Sequence, residues 1–160
     1  MANSSNSILS RTMKIITVSG PDNSGKTTLI QYVFQKLISD GGKITYYEAC
    51  GARVDDFNAV IVWHGKIIAF CSIGDKPDYG KKNENGLQNI ENGIRLADQH
   101  FVDILLNART EDISEVDYKN CLEKHFGNDF YIPIKLCKPN SLETLIKNQQ
   151  LSFELIMREV

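Results

Sequence analysis

Residues 14–42 read KIITVSGPDNSGKTTLIQYVFQKLISDGG, and three signals sit end to end in them. Lys14–Ser19 (KIITVS) is a short β-branched run, the composition of a buried strand. Leu29, Ile30, Val33, Phe34 and Leu37 then recur at helical spacing and give one apolar face. Asp40-Gly41-Gly42 stops that helix, because glycine accepts the left-handed cap conformation. Between strand and helix lies a turn bounded by Gly20 and Gly25.

That turn carries the chemistry. Gly20-Pro21-Asp22-Asn23-Ser24-Gly25-Lys26-Thr27 fits G-x-x-x-x-G-K-[ST] at every fixed position, in the strand-to-helix setting the motif requires. The backbone has to curl so that several N–H groups aim at one phosphate, and glycine allows both the dihedrals and the close approach. The helix opening near Lys26 adds the positive end of its dipole and its unbonded first-turn amides. Lys26 is a point charge within reach of the outer phosphates, and the Thr27 hydroxyl is placed for Mg²⁺. Asp22, Asn23, Ser24 and Thr28 complete the set of loop residues expected around a nucleotide.

Outward from the loop, strand and helix alternate. Lys43–Glu48 (KITYYE) is a second strand. Asn58–Trp63 and Ile67–Ser72 flank His64-Gly65, which reads as a tight hairpin. Asp75–Gly86 is polar and rich in turn formers, the signature of a loop. Leu87, Ile90, Ile94, Ala97 and Phe101 mark an amphipathic helix, and Asp103–Asn107 a further strand. Ser114 reads as an N-cap, with Glu115 and Asp117 in the first turn and the helix ending at His125 to Gly127. Phe130–Leu136 is a last strand, in which Pro133 removes a ladder donor and points to a sheet edge. Asn140 with Glu143 suggests a capping box for a final helix. The alternation predicts an α/β fold, a mainly parallel sheet covered by helices on both faces, with one antiparallel strand from the hairpin. Residues 1–13 are Ser/Asn-rich and read as a flexible tail, with Met13 as an alternative start, and 14–160 as a single domain.

The fuller string GPDNSGKTTL resembles the phosphate loops of P-loop NTPases, most of all those of thymidylate and other nucleoside-monophosphate kinases, which carry an Asp at the Asp22 position and a double Thr at Thr27-Thr28. The resemblance spans residues 14–38. It implies a three-layer α/β/α P-loop NTPase fold, binding of ATP or another NTP with Mg²⁺, and transfer of a phosphoryl group to a small-molecule acceptor such as a nucleotide or nucleoside. The arginine-rich lid of those kinases has no counterpart among the five arginines, Arg11, Arg53, Arg95, Arg109 and Arg158.

Phosphoryl transfer or hydrolysis also needs an acid near the magnesium. Asp75, after the strand IIAFCSIG, is the first candidate. Glu48, at the end of the second strand, is the next, since parallel strands present ligand groups at their carboxyl ends. Asp55 or Asp56, before the hairpin, is the third. Arg109, at the carboxyl end of DILLNA, is the candidate catalytic arginine, steadying a transferring phosphate. Arg53 could bind an anionic acceptor, and Lys81 and Lys82 could close over phosphates. His64, His100 and His125 have no partner spaced for a metal or triad and read as structural.

Composition narrows the alternatives. Hydrophobic residues make up 42% and charged residues 24%, which excludes a disordered chain. A net charge of −2 gives no nucleic-acid signal of the blanket-neutralisation kind. No apolar run approaches the roughly 18–20 residues of a membrane helix. Cys50, Cys71, Cys121 and Cys137 show no metal-finger spacing and read as thiols in a reducing cytoplasm, at least two of them in the core. The leading expectation is therefore a cytoplasmic ATP·Mg²⁺ phosphotransferase. A hydrolytic NTPase switch and a nucleotide-binding subunit without turnover are the rivals.

Overall fold

The computed structural model describes residues 13–21, 24–49, 56–72, 88–110, 114–126 and 130–160. Its elements follow in the order β1 (Lys14–Gly20), α1 (Lys26–Ser39), β2 (Lys43–Ala49), β3 (Phe57–Trp63), β4 (Lys66–Cys71), α2 (Gln88–His100), β5 (Ile104–Thr110), α3 (Glu115–Phe126), β6 (Phe130–Lys135) and α4 (Leu142–Glu159). Six strands form one mostly parallel sheet in the order β2-β3-β4-β5-β1-β6. Strand β3 alone runs against the others. The β3–β4 hairpin turns through His64 (φ 46) and Gly65 (φ 75), the two positive dihedrals that a type I′ turn needs. Pro133 sits in β6, which pairs only with β1 and is a sheet edge.

The pleat divides the sheet's side chains between two cores. Ile16, Val18, Ala59, Ile61, Phe70, Leu106 and Ile134 pack against Leu29, Ile30, Val33 and Leu37 of α1 and Ile156 of α4. Ile15, Val60, Ala69 and Leu105 pack on the other side against Leu96 and Ala97 of α2 and Tyr118 and Leu122 of α3. Met13, assigned to the tail by sequence, is buried in this second core. Residues Phe57–Ile61 are buried throughout, as a strand covered on both faces should be.

Several local expectations shift. Helix α1 ends in a Schellman pair: Gly42 N–H donates to Leu37 O (2.8 Å) and Gly41 N–H to Ile38 O (3.2 Å), with Gly41 at φ +97. Helix α4 is capped by Ser141, not Asn140; Ser141 Oγ accepts from Thr144 N at 3.2 Å, because Ser141 has the extended backbone that lets a side chain reach the third helical residue. Strand β5 runs on through Thr110, past the expected end at Asn107. Of the three cysteines described, Cys71 alone is buried, Cys121 is half-buried and Cys137 is exposed; Cys50 lies outside the described residues. No helix among the described residues is long and apolar enough to cross a membrane.

Phe101 departs most. Its spacing placed it on the apolar face of α2, but the helix stops at His100 and Phe101 takes φ 53 with 68% of its surface exposed. Val102 N–H bonds back to Ala97 O (3.1 Å), so Phe101 occupies the left-handed closing position that glycine usually fills. A side chain there costs about 1–2 kcal/mol. Phe101→Gly should therefore stabilise the protein, by about 0.5–1 kcal/mol after glycine's larger unfolded-state entropy is offset. A rise in the urea midpoint at unchanged slope is the expected result.

Candidate phosphate-binding site

Strand β1 delivers the loop. Gly20 is its last residue, and Leu136, just past β6, donates its N–H to Ser19 O at 2.7 Å, so the chain after β6 lies against the loop's first residue. A Cβ on Gly20 would stand 2.6 Å from Ser24 Oγ and 2.8 Å from Leu136 O, so no other residue fits. Ser24 N–H closes a turn onto Pro21 O (3.3 Å). Gly25 then starts α1 in the left-handed conformation, φ 90 and ψ 22. A side chain at Gly25 would also collide with Gln149 of α4, whose amide donates to Gly25 O at 3.3 Å.

The start of α1 carries no cap of its own. No side chain caps it and its first turn holds no acidic residue. The first turn of a helix has amides without intrahelical acceptors and the positive end of the dipole, so this end favours an anion. Beside it, Ser24 Oγ is buried, with 2% of the residue exposed, and has no hydrogen-bond partner among the described residues. A buried hydroxyl left so is costly unless something occupies the space it faces. Lys26 is 9% exposed, and its ammonium donates to Gly20 O (2.7 Å) and Pro21 O (2.8 Å), which draws the charge across the loop from which it springs. Thr28 is exposed on the first turn.

Thr27 reaches a different set of groups. Its Oγ1 lies 3.2 Å from Asp56 Oδ1 and 3.4 Å from the carbonyl of Ser72. Asp56 immediately precedes β3 and Ser72 immediately follows β4. Since β3 is antiparallel, its beginning lies at the edge where β1, β4 and β5 end. A carboxylate from the amino end of a strand thus comes to the carboxyl edge of the parallel ones. Thr27 and Asp56 give a hydroxyl and a carboxylate, oxygen donors of the kind Mg²⁺ takes while it keeps several waters. No cluster of three acidic, histidine or cysteine residues occurs among the described residues, and a Mg²⁺ that also binds phosphate oxygens does not require one.

The other candidates lie elsewhere. Glu48 is exposed on the edge strand β2, and accepts from Tyr46 Oη at 2.8 Å. It shares a strand face with Tyr46, two residues before it, which packs on the α2 side of the sheet, away from α1, so the structure does not bring it to Thr27. Asp22, Asn23, Arg53, Asp55, Asp75, Lys81 and Lys82 lie outside the described residues.

Arg109 reaches the expected edge, in register with Ser19, on the face of the sheet away from α1. With β5 extended to Thr110, the pleat sets Arg109 on the side of Leu105 and Asn107, beneath α3, and it is 6% exposed there. Its guanidinium is near enough to Tyr131 to oppose the rise of that phenol's pKa. The neighbours form a buried polar row: Thr17 Oγ1 donates to Asn107 Oδ1 (2.7 Å), and the Asn107 amide donates to Tyr118 Oη. Arg109 is thereby separated by the sheet from the helix that carries Lys26 and Thr27. His125 pairs with Asp98 at 2.8 Å and His64 with Asp40 at 3.4 Å, all on exposed side chains.

Sequence reasoning did not find Ser72 or Gln149, and ranked Asp56 last. For Asp56 and Ser72 the signal was present in the hairpin, since antiparallel pairing puts its two open ends at one edge. For Gln149 no local signal exists.

Tyr131 gives this row a pH signature. Burial first, and the Glu115 carboxylate second, push its phenol above the ordinary 10.0, against smaller opposing effects of Arg109 and Thr17. A raised folded value means the stabilisation is complete below about pH 10 and is lost as pH rises through the folded value. Unfolding free energy should fall as pH rises above about 10, and fall less steeply in Tyr131→Phe, followed by urea titration at each pH. Compared with known proteins, the chain matches no family model, no curated protein and no solved structure.

Proposed function

We propose that residues 20–28 bind the phosphates of an Mg²⁺-loaded nucleoside triphosphate, ATP or another NTP, and that the protein is a small phosphotransferase. In this reading the six-stranded sheet with α1 and α4 on one face and α2 and α3 on the other is a three-layer P-loop arrangement. The observation that carries the proposal is the uncapped start of α1 set beside a buried Ser24 hydroxyl that has no hydrogen-bond partner among the described residues. Both lack an anion, and one phosphate satisfies both.

The roles follow from the residues. First-turn amides of α1 and Ser24 hold a phosphate. Lys26 leaves its two loop carbonyls for the outer phosphate oxygens, a charged acceptor in place of neutral ones. Thr27 and Asp56 hold Mg²⁺, which when bound neutralises phosphate charge. An oxygen of a small acceptor, an anionic phosphate oxygen of a nucleotide or a nucleoside hydroxyl that gives its proton to solvent, forms a bond to the γ-phosphorus as the bond to the β-phosphate oxygen breaks. The leaving diphosphate keeps the electron pair, and Lys26 with the loop amides offsets the charge that develops. Arg109, on the other face of the sheet, is given no part in this step.

A second reading is a hydrolytic switch, with water as the acceptor. It is favoured by Thr27 touching both open ends of the β3–β4 hairpin, which ties occupancy of the site to that hairpin. A phosphotransferase should release ADP faster when its acceptor is added, and a switch should hydrolyse at one slow rate regardless. A protein that gains stability with nucleotide but releases no ADP is a binding subunit.

Saturation at about a hundred times the dissociation constant should stabilise the unsubstituted protein by roughly 2.7 kcal/mol. Lys26→Ala should lose that gain. Asp56→Asn should lose only its Mg²⁺-dependent part. Thermal shifts over a panel of nucleotides, with Mg²⁺ and with EDTA, read both. Full nucleotide stabilisation in Lys26→Ala would remove the site assignment.

A further inference from the structure

Ser72 is fully buried, stands one residue beyond β4, and takes no part in the phosphate chemistry above. It is nevertheless tied on every side. Its N–H donates to Phe57 O at 3.1 Å, and Phe57 N–H donates to Ser72 Oγ at 2.8 Å, so the two residues extend the β3–β4 ladder past the pair of Asn58 and Cys71. With Oγ already accepting from Phe57, its single proton is directed to Asp56 Oδ1, 3.4 Å away. Its carbonyl lies 3.4 Å from Thr27 Oγ1. Asp56 has no strand pairing of its own, since β3 begins at Phe57. Within this arrangement the Ser72 hydroxyl joins the aim of the Asp56 carboxylate to the backbone of the residue after it.

We propose that Ser72 is a positioning residue for the metal acid: its hydroxyl, held by Phe57 N–H, orients Asp56 toward Thr27 and so sets the Mg²⁺ affinity of the nucleotide site. The inference rests on the reading of Thr27 and Asp56 as the magnesium pair and assigns one more residue to it. Residues behind a metal ligand that fix its orientation are worth about 10–100-fold in metal affinity. Ser72 differs from a ligand in touching Asp56 through its proton while its acceptor side is already taken by a backbone amide.

The experiment measures binding of ATP or GTP, whichever stabilises the unsubstituted protein, by calorimetry across a Mg²⁺ series and in EDTA. Ser72→Ala should raise the Mg²⁺ midpoint about 10-fold, while affinity in EDTA stays within about twofold. In an Asp56→Asn background, where the Mg²⁺-dependent part of binding is already lost, the same change should alter nucleotide affinity less than about twofold with Mg²⁺ or with EDTA, since the group it orients is gone. Ser72→Thr, which keeps the hydroxyl, should stay within about threefold of the unsubstituted midpoint. Ser72→Ala also leaves Phe57 N–H without its acceptor. If that variant does not fold, Ser72→Cys, of nearly the same volume and a weaker donor, takes its place and should raise the midpoint in the same direction. An equal loss of affinity with Mg²⁺ and with EDTA, or an undiminished effect in Asp56→Asn, overturns the proposal and leaves Ser72 a purely structural residue. If the unsubstituted protein shows no Mg²⁺-dependent gain, the magnesium pair itself is overturned. A gain that Ser72→Ala leaves intact overturns the Ser72 assignment alone.

Discussion

Helix α1 begins on a residue that gives it nothing to close its first turn. Gly25 has no side chain, its left-handed backbone is one that other residues adopt only at a cost, and no acid follows in the first turn. Most helices spend an Asp, Ser or Thr at this point and gain about 1 kcal/mol from it. Here that stabilisation is given up, and beside it stands a buried serine hydroxyl without a partner among the described residues. In the reading proposed above a single anion would relieve both features, which makes the pair more informative than either alone. The apolar face of α1 makes this affordable. Leu29, Ile30, Val33 and Leu37 are all buried against the sheet, so the helix does not depend on its cap to form.

The second constraint is the direction of β3. In a wholly parallel sheet only residues that follow strands can gather at the carboxyl edge. Reversing one strand changes that rule locally: Asp56, which precedes β3, arrives where Ser72, which follows β4, also arrives. The His64-Gly65 turn fixes the reversal, and the turn has the two positive dihedrals that match the twist of a hairpin. A feature at one end of the hairpin thus determines which acid stands near Thr27 at the other end. The same step explains why Glu48 is left out, since β2 forms the far edge with β3, β4 and β5 between it and β1.

The stretch from β1 through α1 could be read from the sequence because each of its signals is local: β-branched residues, a glycine-bounded turn, helical spacing, a double glycine. The hairpin and the edge position of β6 were legible for the same reason, through His64-Gly65 and Pro133. What could not be read was direction and side. Arg109 was placed at the right edge, but its face depends on where β5 ends relative to the pleat, and three more residues of strand decide it. Phe101 fits the helical period, yet the helix closes before it, because Val102 bonds back to Ala97 and ends the helix there. Asp56 ranked behind Glu48 because the end of a strand weighs more than its start in a parallel sheet, a rule that an antiparallel neighbour reverses.

The buried polar row on the α3 side accounts for how the loop keeps its position. Thr17, Ser19, Asn107 and Arg109 are buried on adjacent strands and alternate with Ile16, Val18, Leu106 and Ala108 of the apolar core. A slip of one residue between β1 and β5 would turn the side chains of the strand that shifts to the opposite face. The cost would be unsatisfied polar groups among Leu29, Val33 and Leu37, which is far larger than the gain from any single bond in the row. The bond from Thr17 to Asn107 is therefore better understood as fixing register than as adding stability. Register in turn sets Gly20 beside Thr110, and Leu136 pins Ser19 from the other side. The loop between β1 and α1 consequently starts from a backbone held on both flanks, so its glycines can supply curvature without loosening the point from which it springs.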